Sequence, residues 1–496
     1  MRKSFSRRVF LAGLLSGAAV PGWANPPKVS LRPVLRPSSL LARSAPGMAT
    51  LIKAAGVSGV VGCAVANART GEMLESHGAE TGLPPASVTK ALTALYALET
   101  LGPDYRFKTR LVAVGTLSNG VLNGDLVLSG GGDPTLDTNG LAELARQLKA
   151  AGVREVTGRF LVWGGVLPRV VRIDNKQPDH AGYNPSVSGL SLNYNRVHFE
   201  WKRGAKDYAV TMDARSDRYR PAVTVARMNI TNRDLPVYTF KQVNGVDHWT
   251  VARSALGNGG ARWLPVRQPE LYAGEVMRTL ARSHGIVLKQ AKMTSGAPQG
   301  ATLATLSSDP LRDILKGMLK YSTNITAEIV GMTASRARGA QFSDIRGSAD
   351  AMNQWAAQTL GMAHAALVDH SGLGEDSRMR ASELVQVLSR AERQQVLRPI
   401  LKDIRLRGKN GKVDKFHPLK VQAKTGTLHF VSGLAGYVSA PGDSELAFAI
   451  FVADTSARDR LIGPDRERPP GARTWNRNAK ALQQSLLERW GAVYGS

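Results

Sequence analysis

The pattern of apolar and polar residues predicts strands near both ends of the chain. Residues 57–77 contain two strand-like runs joined at "NARTGE", with Gly71 at the turn of a hairpin. Three further runs, "VQAKTGTLHF", "SGLAGYVSA" and "ELAFAIFVAD", follow one another near the other end, separated by short turns. A sheet joining these five strands would build one domain from both chain ends.

The pattern changes between about residues 105 and 290. Short strand-like pieces such as "DLVLSG", "RVHFEW" and "YAVTM" alternate there with glycines, prolines and charged residues, which predicts one or two inserted β-rich modules. We therefore expect a composite domain formed by residues 25–104 and 291–496, interrupted by an insertion over residues 105–290.

Helical periodicity appears in three places within the composite domain. An almost wholly apolar run begins near Ser87 and ends at Gly102 and Pro103, two stop signals. Residues 309–337 follow a helical pattern. A closing helix, "ARTWNRNAKALQQSLLERW", carries a single apolar stripe. That stripe favours packing on the sheet over docking on a membrane.

The first 24 residues predict an export signal. Basic residues precede an apolar run from Val9 to Pro21 that is too short to span a bilayer, and a small-residue cleavage site surrounds Ala24. "SRRVFL" matches the twin-arginine pattern, although an ordinary signal peptide with a chance arginine pair remains an alternative. We expect cleavage near Ala24 and a soluble periplasmic protein.

Composition narrows the class of partner. The only cysteine is Cys63, so no internal disulfide is expected, and its strand context predicts a small buried residue. The net charge of +26 favours polyanions: nucleic acid, anionic lipid or cell-wall polymer. No nucleic-acid-binding signature accompanies the charge, so we expect no nucleic-acid partner. Peripheral membrane association and wall association both remain open.

The first candidate for chemistry is the pair Ser87 and Lys90 in "PPASVTK". Ser87 would serve as a helix N-cap. Because positions i and i+3 share a helix face, its hydroxyl can also meet the Lys90 amine. The helix is so apolar that burial should lower the pKa of Lys90. A neutral lysine beside a serine is a general base beside a nucleophile.

Two further motifs accompany this pair. "KTGT", residues 424–427, lies in a strand that an edge position could expose. A protonated Lys424 and the hydroxyls of Thr425 and Thr427 would bind a carboxylate, and Gly426 would let a substrate backbone approach. S-x-N occurs as "SLN" at 191–193 and as "STN" at 322–324. We favour "STN", because a turn between two helices can aim Ser322 and Asn324 into a cleft.

These motifs, in this order, resemble those of the penicillin-recognising enzymes. Their spacing, 322 − 87 = 235 and 424 − 322 = 102 residues, resembles that of the class C low-molecular-mass penicillin-binding proteins. These are D-alanyl-D-alanine carboxypeptidase/endopeptidases of the penicillin-binding protein 4 type. The segments "GDLVLSGGGDPTL" and "VSGLSLNYNRV" are similar to stretches of the family's insertion. "DHSGLGEDSR" resembles its loop D-G-S-G-L-S-R, with departures at His370 and Gly374. The resemblance covers nearly the whole mature chain.

The resemblance implies an α+β fold: a serine β-lactamase/transpeptidase-like domain, with an antiparallel sheet flanked by helices and formed from both chain ends, carrying inserted β-rich domains. It implies a serine-type D-Ala-D-Ala carboxypeptidase or endopeptidase acting on peptidoglycan stem peptides, acylated by β-lactams and needing no metal or cofactor. The expected catalytic residues are Ser87, Lys90 and Ser322. The expected substrate-binding residues are Asn324, Lys424, Thr425, Gly426, Thr427 and, in the insertion, Asp179.

Rival functions find less support in the sequence. A class A β-lactamase would carry E-x-x-L-N, a zinc peptidase H-E-x-x-H and an α/β-hydrolase G-x-S-x-G, and none of these patterns occurs. A catalytically silent wall-binding protein would need neither Lys90 nor Ser322. A serine β-lactamase and a silent binder remain the alternatives.

Overall fold

The computed structural model describes residues 45–408, 410–461 and 469–495. The predicted signal peptide (1–24) and the residues that follow it up to 44 lie outside the described residues. Within the described ranges, no helix is long and apolar enough to cross a membrane.

The first sheet joins the two ends of the chain, which confirms the expected fold class. Its six strands are β1 (Val60–Asn67), β2 (Met73–His77), β15 (Lys402–Ile404), β16 (Lys420–Leu428), β17 (Val431–Ala440) and β18 (Ser444–Ala453). They lie in the order β15-β16-β17-β18-β1-β2, and every neighbouring pair is antiparallel. The N-terminal hairpin is therefore completed by a strand made nearly 400 residues later (447 − 66 = 381 for the pair Ala66 and Ala447).

Helices cover both faces of this sheet. They are α1 (Met48–Ala54), α2 (Thr89–Leu101), α5 (Leu311–Tyr321), α6 (Asn324–Ala337), α7 (Ile345–Trp355), α8 (Ala381–Arg393), α9 (Thr455–Asp459) and α10 (Ala472–Tyr494). Alternate side chains of β18 point to opposite faces. Phe451 joins a core with α2 and α5–α8, whereas Phe448 joins a core with α1 and α10. The closing helix α10 therefore packs on the sheet, as predicted.

The insertion contains a second six-stranded sheet, two three-stranded sheets and the helices α3 (Thr138–Ala150) and α4 (Pro269–Ser283). The six-stranded sheet contains β3 (Lys108–Ser118), β4 (Val121–Ser129), β5 (Glu155–Val156), β6 (Phe160–Trp163), β13 (Lys292–Met293) and β14 (Ala301–Ser307). The small sheets contain β7 (Arg196–Arg203), β8 (Tyr208–Asp213), β9 (Ala226–Thr231), β10 (Tyr238–Val243), β11 (Val246–Ala252) and β12 (Gly259–Pro265).

The second sheet continues beyond residue 290, where we expected the insertion to end. Strand β14 pairs with β3 in antiparallel register. The chain therefore returns to the first core only at α5, which carries its apolar face into the core shared with α2.

Candidate active site

Ser87 lies in the short 3-10 turn Ala86–Val88, immediately before α2. The N-cap of α2 is Val88, and no side chain caps the helix, so the N-cap prediction for Ser87 is wrong. The turn is held instead by close backbone packing. A Cβ on Gly426 would lie 2.6 Å from the Pro85 carbonyl oxygen and 3.1 Å from the Ser87 nitrogen. Gly426 thus makes room for the protein's own serine turn. Its expected role in letting a substrate backbone approach stays a prediction.

Lys90 lies one helical turn after Ser87 and is completely buried. Its Nζ donates to three acceptors: Ser87 Oγ at 3.0 Å, Asn324 Oδ1 at 2.7 Å and the Ser371 carbonyl at 2.6 Å. These three bonds match the three N–H groups of an ammonium. When the amine is neutral it has one lone pair, and the Ser87 hydroxyl can then donate to it.

The "STN" segment forms the turn between α5 and α6. Ser322 ends α5 in the left-handed conformation (φ 59°), and Asn324 begins α6. Both side chains line the cavity that contains Ser87. The Asn324 amide bridges two parts of the chain, since its Oδ1 accepts from Lys90 and its Nδ2 donates to the Tyr183 carbonyl at 2.9 Å.

The alternative "SLN" segment lies elsewhere. Asn193 is buried inside the insertion, where its Nδ2 donates to Thr138 Oγ1 at 2.9 Å. Ser191 donates to the Ser188 carbonyl at 3.1 Å. Both side chains therefore serve the packing of the insertion, and neither lines the Ser87 cavity.

The "KTGT" segment occupies the second half of β16. Strand β15 pairs only with Val421–Ala423, so within the described chain the edge over residues 424–428 has no strand beside it. Thr425 and Thr427 are exposed on this edge and line the cavity. Lys424 is buried, and its Nζ donates to Ser322 Oγ at 3.0 Å and to the Thr425 carbonyl at 2.6 Å.

Two buried carboxylates that the sequence analysis missed stand beside this cluster. Asp369 accepts hydrogen bonds from the backbone N–H groups of Ser371, Gly372 and Gly374, and so shapes the loop whose carbonyl faces Lys90. Glu328 accepts from the His370 N–H at 3.0 Å. Glu328 follows Asn324 by four residues in an otherwise apolar stretch of α6, a position that shares its helix face. An isolated acidic residue on the same helix face as Asn324 was the signal in the sequence that could have indicated a carboxylate beside the site.

Burial and charge oppose one another in this cluster. Burial lowers the pKa of Lys90 to about 8, while the charges of Asp369 and Glu328 act to raise it. Burial raises the pKa of both carboxyl groups. For Lys424, burial and then the charge of Lys90 hold the pKa well below its usual range. An anion bound beside Lys424 would favour its protonated form. The protonated state expected from the sequence stays a prediction.

His370 replaces the first glycine of the family loop, and a glycine on α6 makes room for it. The imidazole is completely buried, with Nε2 2.8 Å from Ser348 Oγ. Burial lowers the pKa of His370 to about 3, so the ring is neutral. A Cβ on Gly331 would overlap this ring. The histidine at position 370 of the loop thus fits only because residue 331, which lies 39 positions earlier (370 − 331), is a glycine.

Asp179 lies beside the cavity without lining it. Its Oδ1 is 2.6 Å from Arg172 Nη1, and its carbonyl accepts from Arg267 Nη2 at 2.9 Å. The neighbouring Gln177, Pro178 and His180 do line the cavity. The observed contacts of Asp179 hold this segment in place.

The cavity around Ser87 has a volume of about 1460 Å³ and is bounded by the first sheet, α10 and the insertion. Among the described residues, no group of three or more His, Cys, Asp and Glu side chains is placed to hold a metal ion. Ser87, Ser322 and Asn324 line the cavity, and the buried amines of Lys90 and Lys424 donate to the two serines. This set of groups suits acyl transfer through a serine ester.

This fold and this set of motifs define the class of penicillin-recognising serine enzymes. The chain belongs to the D-Ala-D-Ala carboxypeptidase 3 (S13) family, whose model matches residues 49–466. This confirms the family resemblance of the sequence.

Individual relatives agree. The D-alanyl-D-alanine carboxypeptidase of Actinomadura sp. is 28% identical over 79% of this chain and 77% of its own. The D-alanyl-D-alanine carboxypeptidase DacB of Haemophilus influenzae is 23% identical over 80% and 86%. The crystal structure of penicillin-binding protein 4 from H. influenzae superposes with a TM-score of 0.70, at 20% identity, over 91% of this chain and 99% of that one. That likeness establishes the fold.

Proposed function

We propose that this protein is a serine-type D-Ala-D-Ala carboxypeptidase, with DD-endopeptidase activity, that acts on peptidoglycan stem peptides through an acyl-enzyme. The observation that carries the proposal is the buried Lys90 amine 3.0 Å from Ser87 Oγ, beneath an open strand edge. Relatives named as D-alanyl-D-alanine carboxypeptidases support it, as does penicillin-binding protein 4 of H. influenzae in complex with a β-lactam.

In the acylation step, Ser87 Oγ attacks the carbonyl carbon between two D-alanines while its proton passes to neutral Lys90. The backbone N–H groups of Ser87 and Thr427 bind the developing oxyanion. Ser322 relays a proton to the leaving amine as the C–N bond breaks. Lys90 thereby returns to its neutral form, and the first product is released.

Recognition uses the groups around the serine. The Asn324 amide holds the substrate amide, while Lys424, Thr425 and Thr427 bind the terminal carboxylate. Because the Lys424 amine is buried beside a second lysine, an arriving carboxylate supplies the anion that raises its pKa. The substrate carboxylate therefore provides the negative charge that complements the Lys424 ammonium. A substrate contact of the Asp179 side chain stays a prediction from the family resemblance.

The acyl-enzyme is then hydrolysed by water, with Lys90 again accepting a proton. A β-lactam acylates the same serine, but its leaving group stays attached, so deacylation is slow. The same chemistry serves carboxypeptidase and endopeptidase activity, because both break a D-Ala amide bond.

We further propose that the chain is exported to the periplasm after cleavage near Ala24, and that wall or peripheral membrane association follows from its basic charge. The domain division at residues 25–104, 105–290 and 291–496 stays a proposal. The pairing of β14 with β3 favours a later second boundary, near residue 307.

The proposal is tested by product analysis. Purified protein is expected to release D-alanine from a D-Ala-D-Ala-terminated peptide and to cut cross-linked dimers, and preincubation with penicillin should block both reactions. Chromatography of the products and of residual penicillin provides the measurement. Absence of peptide products would contradict the proposal, and rapid catalytic destruction of the penicillin would instead identify a β-lactamase.

The pH dependence of acylation follows from Lys90. Because only the neutral amine accepts the serine proton, the rate of penicillin acylation should rise about tenfold per pH unit below the pKa of Lys90. It should level off above pH about 8. Stopped-flow measurement of acylation between pH 5.5 and 9.5, a range set around that value, checks this, and a rate independent of pH would contradict the assignment.

Glu328→Gln is expected to move that midpoint to lower pH. The negative charge of Glu328 stabilises the ammonium form of Lys90, so its removal lowers the pKa of the lysine. Glu143→Gln, which removes a half-buried carboxylate of the insertion, is the matched control and should leave the profile unchanged. A midpoint that stays in place or rises in Glu328→Gln would show that this carboxylate does not act on Lys90.

A further inference from the structure

The cavity that contains Ser87 continues past the end of β16 into a groove of one charge sign. The described residues that line the cavity include no Asp or Glu. One wall of the continuation carries five basic side chains, which we call the basic groove: Arg405, Arg407, Arg473, Arg477 and Lys480.

Within the described part of the chain, the basic groove has no acidic partner. All five side chains belong to exposed residues, and among the described residues none forms a salt bridge. By contrast, Arg458 in the same cavity lies 3.0 Å from Glu375 Oε2. Arg473, Arg477 and Lys480 occupy positions i, i+4 and i+7 of α10. Like charges at such spacings destabilise a helix. This arrangement is therefore unfavourable in the absence of a bound anion.

The basic groove begins where the open edge of β16 ends. Asn476 lies on α10 between Arg473 and Arg477, and its Nδ2 donates to the Leu428 carbonyl at 3.1 Å. Leu428 is the last residue of β16. A peptide chain that lies along the edge from Lys424 to Leu428 is thus led directly onto the basic face of α10.

We propose that the basic groove binds the carboxylate groups of an acidic peptide strand, namely the part of the substrate that lies beyond the reacting amide. A flexible strand fits a groove continuous with the catalytic cavity, whereas a bilayer surface reaches only the outer rim. The inference rests on the proposed function, since it assigns the remainder of the same substrate. It adds an electrostatic specificity that the catalytic motifs do not supply.

The test compares two synthetic peptides of equal length that end in D-Ala-D-Ala. One carries two glutamates on the N-terminal side of the reacting amide, and the other carries glutamines there. We expect the full-length mature enzyme to show a higher kcat/KM for the acidic peptide, with the preference falling as salt is added. In the variant R473Q/R477Q/K480Q the acidic-to-neutral ratio should fall about tenfold, as expected for three partly exposed charge interactions.

The matched control is R282Q/K316Q/R346Q, which removes three exposed basic residues outside the cavity and should keep the ratio. Affinities of both peptides for Ser87→Ala, measured by fluorescence anisotropy, separate this inference from the proposed function. Preferential binding without hydrolysis by the wild type would overturn the function and keep the groove. Equal affinities, or an unchanged ratio in R473Q/R477Q/K480Q, would overturn the groove. The groove would also be overturned if R473Q/R477Q/K480Q lost binding to phosphatidylglycerol vesicles but kept its preference for the acidic peptide, because the basic residues would then serve a lipid surface.

Discussion

Replacing Ser87 by alanine is expected to abolish covalent labelling by a fluorescent penicillin. The acyl-enzyme is an ester of the Ser87 oxygen, and among the described residues Ser87 is the one cavity hydroxyl hydrogen-bonded to Lys90. The side chain makes a single hydrogen bond, so the free energy of unfolding should fall by only about 1 kcal/mol. Gel fluorescence after incubation with the probe measures the label, and circular dichroism checks the fold.

The control is Ser343→Ala, since Ser343 is exposed and lies outside the cavity lining. It should be labelled as rapidly as the wild type. Equal labelling of Ser87→Ala and wild type would place the nucleophile elsewhere and remove the basis of the proposed mechanism.

Gly331→Ala is expected to destabilise the protein strongly. Its Cβ would overlap the buried His370 ring, and neither α6 nor the loop has space to yield. Overpacking of this kind costs about 3 kcal/mol, more than the roughly 1 kcal/mol that alanine gains over glycine in a helix. Urea denaturation measures the loss. Gly317→Ala, in α5 with no atom within 4 Å of its Cβ, should instead stabilise the protein.

The same change should reverse its sign once the ring is removed. In a His370→Gly background, which restores the residue of the family loop, Gly331→Ala fills part of the vacated space and improves helix propensity. We therefore expect it to raise the free energy of unfolding there. If Gly331→Ala is equally harmful in both backgrounds, the two positions are not coupled as the packing indicates.

The sequence predicted what local pattern and order along the chain determine. The strands of the first sheet, the helix after Ser87, the turn at "STN" and the packing of α10 all follow from periodicity and stop signals. Burial of Lys90 followed from its apolar neighbours, and the structure places it wholly out of solvent. The prediction of the family rested on three short motifs and their spacing, and the family model that matches residues 49–466 confirms it.

What the sequence could not predict depends on contacts between distant segments. Glu328 and the loop at Asp369 approach Lys90 only in the folded molecule, so their contact with the lysine has no local signature. The prediction that Ser87 caps the helix was wrong because Ala86, at φ 47°, bends the chain into a turn that packs closely against Gly426. The lowered pKa of Lys424 was also beyond local pattern, since Lys90 beside it lies on a helix 334 residues earlier (424 − 90 = 334).

The pairing of β1 with β18 has a consequence for the time at which the enzyme can first act. During synthesis the serine and its lysine emerge early, but a two-stranded hairpin is marginally stable until further strands join it. The partner of β1 is made only when residues 444–453 have been translated, after the "KTGT" edge itself. A chain that ends between residues 428 and 444 therefore carries Ser87 and the "KTGT" segment without β18, the strand that lies between β17 and β1. We therefore expect catalysis to begin only after β18 has paired with both β1 and β17 and completed the sheet.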